Sequence, residues 1–277
     1  MTAAEPSRKD GAAERLAASG PHLEVRSLQK NFGETKVLTD VNMSIGRGHI
    51  AVIIGGSGAG KTTLLRILIG LERPSSGSVL VSGQDIANLS DRELNKMRRK
   101  FGMVFQYSAL LDSMNVLDNV AFPMREHTQL SEKEIKQQVT QKLNSLGLEN
   151  VEKRFPSQLS GGMRKRVALA RALMLEPEII MYDEPTSGLD PVTSRMVDDL
   201  MVDTRKQFGV TSVIISHDMV GALKIADEIY LLSKGRIVAA GSPTELTQGT
   251  NELFHQFLES SGVTQMPGAA EMLKRGD

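Results

Sequence analysis

Short apolar runs alternate with amphipathic stretches along most of the chain. Residues 51–54 are apolar, a Gly-rich stretch comes next, and 61–69 carries helical spacing. Residues 178–182, 211–215 and 228–232 form further apolar runs of strand length. This alternation predicts an α/β fold. Ser90-Asp-Arg-Glu93 and Ser131-Glu-Lys-Glu134 predict capping boxes that open helices. After the second box, Ile135, Val139, Leu143 and Leu146 share one helix face, and Gly147 ends it. Asp190 and Pro191 suit the N-cap and first position of a helix that stops at Gly209. Another helix is expected from Arg164 to Leu175. The stretch 88–172 reads as mostly helical and lies between the two clearest core strands. It is expected to be a helical subdomain inserted into the α/β core. No internal repeat is visible.

Composition narrows the picture. The 277 residues are 40% hydrophobic and 24% charged, enough for a sizeable core. Lys plus Arg equals Asp plus Glu at 33 each, which argues against a dedicated nucleic-acid partner. The sequence has no Cys, so disulfides and thiolate metal sites are excluded. No apolar run approaches the roughly 18 to 20 residues a membrane span needs. Residues 1–22 mix both charges without an apolar stretch, so a disordered tail is expected there rather than a secretion signal. A second tail is expected over 259–277, leaving 23–258 as the folded domain. A soluble chain is expected, with any membrane role exercised through a partner.

Gly55-Gly56-Ser57-Gly58-Ala59-Gly60-Lys61-Thr62 fits the phosphate-loop pattern G-x-x-x-x-G-K-[ST] in full. An apolar run precedes it and helical spacing succeeds it, which is the setting the pattern requires. Glycines let successive N–H groups curl toward phosphate oxygens. The helix N-terminus, with Thr63 next in line, adds a positive dipole end. Lys61 is placed to reach the β- and γ-phosphates and Thr62 to ligate Mg²⁺. A second element is the run that ends in Asp183 and Glu184. Asp183 suits a Mg²⁺ partner at a strand end, and Glu184 suits a general base that polarises water. The third is Leu159-Ser160-Gly161-Gly162-Met163, a hydroxyl and free N–H groups at another expected helix start, hence a second anion site.

Along the chain the order is phosphate loop, Leu159–Met163 segment, strand ending in Asp183–Glu184 and a late His217, and in this order the elements resemble the nucleotide-binding subunits of ABC transporters over roughly residues 23–258. The resemblance implies a P-loop NTPase core with a mainly parallel sheet, an N-terminal antiparallel β part and the helical insertion. It implies that Phe32 stacks on adenine and that Gln106, which follows an apolar strand, senses Mg²⁺ and water near the γ-phosphate. It further implies that the loop Ser187 to Asp190 communicates between protomers, Asp190 contacting the nucleotide site, and that His217 bonds the γ-phosphate. Ser160, Gly161 and Gly162 would act in trans, on ATP held by the other protomer, so a homodimer with two Mg-ATP is expected. Two positions depart from the family: Phe32 where Tyr is commoner, and Met163 where the signature usually ends in Gln.

The stretch from Phe105 to Thr128, with Asn115-Val-Leu-Asp-Asn-Val and Pro123-Met-Arg-Glu-His-Thr, is similar to the ATPase of Mla-type phospholipid transporters. That similarity implies a permease dimer in the inner membrane, with this chain peripheral on its cytoplasmic face. It also implies an MCE-domain lipid-binding protein and a small STAS-type cytoplasmic subunit. Two other readings stay open at this stage. One is the ATPase of an amino-acid or other small-solute importer. The other is a soluble ABC ATPase outside transport, which the single cassette and neutral charge disfavour. Arg164, Lys165 and Arg166 are expected to form an exposed helix face.

Overall fold

The computed structural model describes residues 20–262. The tails expected at 1–22 and 259–277 therefore lie largely outside the described residues.

Five strands build the core: β3 (Ile50–Ile54), β6 (Phe101–Val104), β7 (Ile179–Asp183), β8 (Thr211–Ser216) and β9 (Glu228–Ser233). They pair parallel in the order β9-β3-β8-β7-β6. β3 is buried along its whole length, as expected of a parallel strand covered on both faces. Its side chains alternate between two cores. Ile50, Val52 and Ile54 join one apolar cluster, and Ala51 and Ile53 the other. β10 (Arg236–Gly241) runs antiparallel to β9.

The antiparallel part lies beyond β10. β1 (Leu23–Phe32) turns back through Gly33 into β2 (Thr35–Ile45), and β4 (Ser76–Val81) and β5 (Gln84–Asp85) extend the other side. One parallel pairing, Arg236 with Asp40, links this part to the core, giving a ten-stranded sheet.

Helix α1 (Lys61–Leu68) comes after β3 and its glycine-rich loop. The mostly helical stretch holds α2 (Asp91–Arg98), α3 (Val116–His127), α4 (Glu132–Ser145) and α5 (Gly161–Leu173). The chain also returns to the core inside that stretch, because β6 pairs with β7 there. Both capping boxes form, on Ser90 with Glu93 and on Ser131 with Glu134. Helix α6 (Pro191–Phe208) is capped by Asp190 and ends at Gly209 in the left-handed conformation. α7 (Met219–Ile225), α8 (Pro243–Gln248) and α9 (Glu252–Ser260) complete the described chain.

One expected boundary moves. Helix α5 starts at Gly161, not Arg164, because the Ser160 hydroxyl accepts from the Met163 N–H and caps the helix there. Glycine is a poor helix interior residue, but the first turn leaves its N–H groups free in any case.

Candidate functional site

The register of the parallel strands gathers the site. Ile54 sits beside Ser216, Asp183 beside Ile215, and Val104 beside Tyr182. All four strands point the same way, so the residues just past their ends emerge at the same carboxyl edge. These residues are Gly55, Glu184, His217 and the Phe105–Gln106 pair. Residues far apart in sequence are brought together by strand order alone.

The loop from Gly55 to Thr62 rises from β3. A Cβ on Gly55 would stand 2.3 Å from the Leu232 carbonyl oxygen, so only glycine fits there. Gly60 caps α1 with φ of 106°, a value that side-chain-bearing residues rarely adopt. Among the described residues, the N–H groups of Gly58, Gly60, Lys61, Thr62 and Thr63 donate to no protein acceptor. That is a row of amide donors at a helix N-terminus, the chemistry of an anion cradle. Gly56, Ser57 and Gly58 are exposed, while Ala59 is buried and anchors the loop from below. Lys61 folds back over its own loop, donating to the carbonyls of Gly55 at 2.7 Å and Gly56 at 3.1 Å. Its ammonium also stands 4.0 Å from Glu184 Oε1.

Asp183 closes β7 and is half-buried. Burial raises its carboxyl above the ordinary range; the Glu184 charge adds to this, and Lys61 opposes it. A cation here would stabilise the ionised form. Glu184 comes next with φ of 47°, a strained value for a side-chain-bearing residue. Its N–H donates to the Ile215 carbonyl at 2.8 Å, which ties the turn to β8. Glu184 Oε2 lies 2.6 Å from His217 Nδ1 and accepts from the His217 N–H at 3.3 Å. A carboxylate can only accept, so Nδ1 carries the hydrogen of that short bond. The structure thus brings Lys61, Glu184 and His217 into one cluster.

Gln106 sits just past β6. Its amide donates to Ser187 Oγ at 3.1 Å and to the Tyr107 hydroxyl at 3.3 Å. This couples Gln106 to the Ser187–Asp190 loop. Asp190 is spent on its helix: it accepts from the N–H groups of Val192 and Thr193 at 3.0 and 3.1 Å. Its side chain is exposed, and hydrogen bonding, chiefly from Thr193, lowers its pKa. Phe32 ends β1 and is 49% exposed, with the Lys30 ammonium 4.7 Å from its ring centroid. It therefore presents an aromatic surface to solvent, as a base-stacking residue must.

Ser160, Gly161 and Gly162 stand apart. Among the described residues, no hydrogen bond joins them to the loop 55–62 or to Asp183, Glu184 and His217. Within one chain the signature segment is not part of the Lys61–Glu184–His217 cluster.

The expectation for Lys165 is overturned. It is buried, 6% exposed, and its ammonium donates to the Gln106 carbonyl. A signal existed: Lys165 lies four residues before buried Leu169, on the same helix face. Arg171, which the sequence did not single out, donates to the carbonyls of Ser108 and Ala109.

A family model described as ABC transporter matches residues 38–187. The "Probable ribonucleotide transport ATP-binding protein mkl" of Mycobacterium leprae is 44% identical over 244 residues, covering 88% of this chain and 70% of that protein. The "Intermembrane phospholipid transport system ATP-binding protein MlaF" of Haemophilus influenzae is 41% identical over 251 residues, 90% of this chain and 95% of its own length. Among solved structures, cbiO1 of Clostridium perfringens, part of the ABC transporter complex cbiONQ, superposes with a TM-score of 0.77 at 32% identity. It covers 89% of this chain and 94% of its own. A dimeric ATP-binding cassette, MJ0796, bound to ADP and Pi, gives 0.71 at 33% identity, covering 80% and 98%. Phosphate loop, paired carboxylates and His217 at one sheet edge, together with these matches, fix the family: the chain belongs to the ABC transporters, as an ATP-hydrolysing subunit.

Proposed function

We propose that two copies of this chain close on two Mg-ATP and that the cycle drives phospholipid through a membrane permease. The observation that carries the catalytic half is the Lys61–Glu184–His217 cluster beneath the amide-lined loop. Lys61 and the loop N–H groups bind the phosphates. Phe32 stacks on the base. Glu184 polarises the attacking water, and His217, held by Glu184 through Nδ1, presents Nε2 to the γ-phosphate side. Thr62, Asp183 and Gln106 suit Mg²⁺, which would neutralise charge developing on the phosphates. Among the described residues no three His, Asp or Glu side chains form a metal site, so phosphate oxygens and water would complete the shell. Ser160, Gly161 and Gly162 complete the partner's site, which accounts for the lack of any hydrogen bond between them and the cluster among the described residues of one chain. The dimeric neighbour bound to ADP and Pi supports that arrangement.

For the cargo, the support is the groove below Gln106. A cavity of about 400 Å³ is lined by Phe101, Met103, Phe105, Leu111, Phe122 and Arg171. Phe105, Leu111 and Phe122 are all more than 40% exposed. An apolar notch of this size suits a short helix of a permease subunit. Its sequence, 105–128, is the part similar to Mla-type ATPases, and the MlaF relatives match over 90% or more of their length. The mkl relatives carry ribonucleotide in their names and are matched over about 70% of theirs. An MCE-domain protein and a STAS-type subunit belong to the same proposal, as does a peripheral place on the cytoplasmic face of the inner membrane. The test is to purify the full chain with its membrane partners and place the complex in vesicles. ATP-dependent movement of labelled phospholipid supports the reading; ATP-dependent uptake of ribonucleotide without lipid movement replaces it.

A further inference from the structure

Residues 105–109 form a loop with few partners of its own. After β6 the chain makes one turn bond, from the Ser108 N–H to the Phe105 carbonyl at 2.9 Å. Ser108 and Ala109 then both adopt the left-handed conformation, with φ of 64° and 44°. Two successive side-chain-bearing residues in that region are unfavourable and persist only where surroundings over-determine them.

The surroundings are two cations of α5. Lys165 donates to the Gln106 carbonyl. Arg171 places Nη1 2.7 Å from the Ala109 carbonyl and Nη2 2.9 Å from the Ser108 carbonyl. Neither cation forms an ion pair among the described residues. Burial lowers the pKa of both. Lys165 is buried and Arg171 partly so; taking a charge out of water without a counter-ion is costly, and among the described residues their hydrogen-bond partners are backbone carbonyls. Ordinary stability needs no such arrangement, since an apolar residue would fill the same space at less expense in desolvation.

The placement is informative. Helix α5 begins at Ser160 and Gly161, the signature segment, and carries Lys165 and Arg171 along its length. The loop it grips carries Gln106 at one end and Phe105 beside the apolar groove. We propose that Lys165 and Arg171 are positioning residues that clamp the Gln106 loop to the signature helix, so that groove, Gln106 and signature segment move as one piece. Gln106 is thereby aimed at the site by the helix that serves the partner's nucleotide. This rests on the reading of Gln106 as a member of the catalytic site.

A double-mutant cycle tests it on the full-length chain. Lys165→Met keeps the length of the side chain and removes the charge. It should lower kcat about tenfold, with KM for ATP and the unfolding midpoint nearly unchanged, and Lys165→Arg should restore most of the rate. In a Gln106→Ala background, Lys165→Met should cost nothing further, because the clamp acts through Gln106. An equal loss in both backgrounds, or a loss that tracks the unfolding midpoint, overturns the clamp while leaving Gln106 in the site. If Gln106→Ala itself hydrolyses ATP at the unaltered rate, the reading of Gln106 fails and the clamp falls with it. Arg171→Lys, which cannot span both carbonyls, should behave as Lys165→Met does.

Discussion

Asn119 offers a quantitative test of how the groove loop is held. It lies in α3 and is fully buried, with 0% exposure. Its Oδ1 accepts from the Leu111 N–H at 2.7 Å, and Nδ2 faces the carbonyls of Leu111, Met114 and Asn115, each at 3.0 Å. The amide has only two N–H groups, so one is shared. Two of those carbonyls have other donors: the Met114 N–H serves Leu111, and the Asn119 N–H serves Asn115. Asn119→Ala thus orphans the Leu111 N–H and the Met114 carbonyl. At about 1 to 3 kcal/mol for each unsatisfied group, with water reaching part of the loop, the loss should be about 2 to 3 kcal/mol. For a domain of this size that is a drop of roughly 4–12 °C in Tm. Urea unfolding monitored by circular dichroism, extrapolated to water, measures it. Asn119→Asp sharpens the test. It keeps an acceptor for Leu111 but turns a carboxylate on the carbonyls of Met114 and Asn115. It should be at least as destabilising as Ala at neutral pH and milder in acid, where the carboxyl protonates. A loss below about 0.5 kcal/mol for Ala would refute the claim that Asn119 holds this loop.

Two further predictions concern other parts of the fold. Asp198 is 4% exposed, and burial, then the Asp218 charge, pushes its pKa up to about 6. The folded chain therefore binds this proton more tightly than the unfolded one, so its contribution falls as pH rises from about 4 to about 6 and is a penalty above that window. Asp198→Asn should stabilise by roughly 1 to 3 kcal/mol at pH 7.5 and by little near pH 4, as read from paired urea titrations. Phe32→Ala should raise KM for ATP about five- to tenfold, the value of a lost stacking contact of about 1 to 1.4 kcal/mol, with kcat almost unchanged and Phe32→Tyr near the native value. An unaltered KM would remove Phe32 from the nucleotide site.

The parts of the site that local chemistry dictates were legible in the sequence. The loop from Gly55 to Thr62 needs glycines where a Cβ would strike Leu232 or where φ is positive, so its pattern shows in the residues themselves. Asp183 and Glu184 are a weak signal alone, because strands often end in acids that face solvent, and they gained weight from the phosphate loop upstream. His217 could be placed only through family resemblance, since nothing local tells a site histidine from any other. What the sequence hid was long-range. Lys165 looked like one of three surface cations, yet its partner is a carbonyl 59 residues away. Asn119 carried no signal of its own within the Asn115–Val120 stretch, and only the path of the preceding loop buries it. Strand β6 is the apolar strand expected before Gln106, and its parallel pairing with β7 fixes its four residues. The start of α5 was misplaced because propensity disfavours Gly161 and Gly162, whereas the Ser160 cap decides the boundary.

Glu184 is proposed to activate the attacking water, and Glu184→Gln tests this most directly. Nucleotide affinity, single-turnover hydrolysis and sedimentation in Mg-ATP would be measured on the same preparation. The substitution keeps the size of the side chain and removes the base. ATP should bind with nearly native affinity, the hydrolysis rate should fall by about 100-fold or more, and the chain should sediment as a stable dimer. Hydrolysis near the native rate would contradict the account.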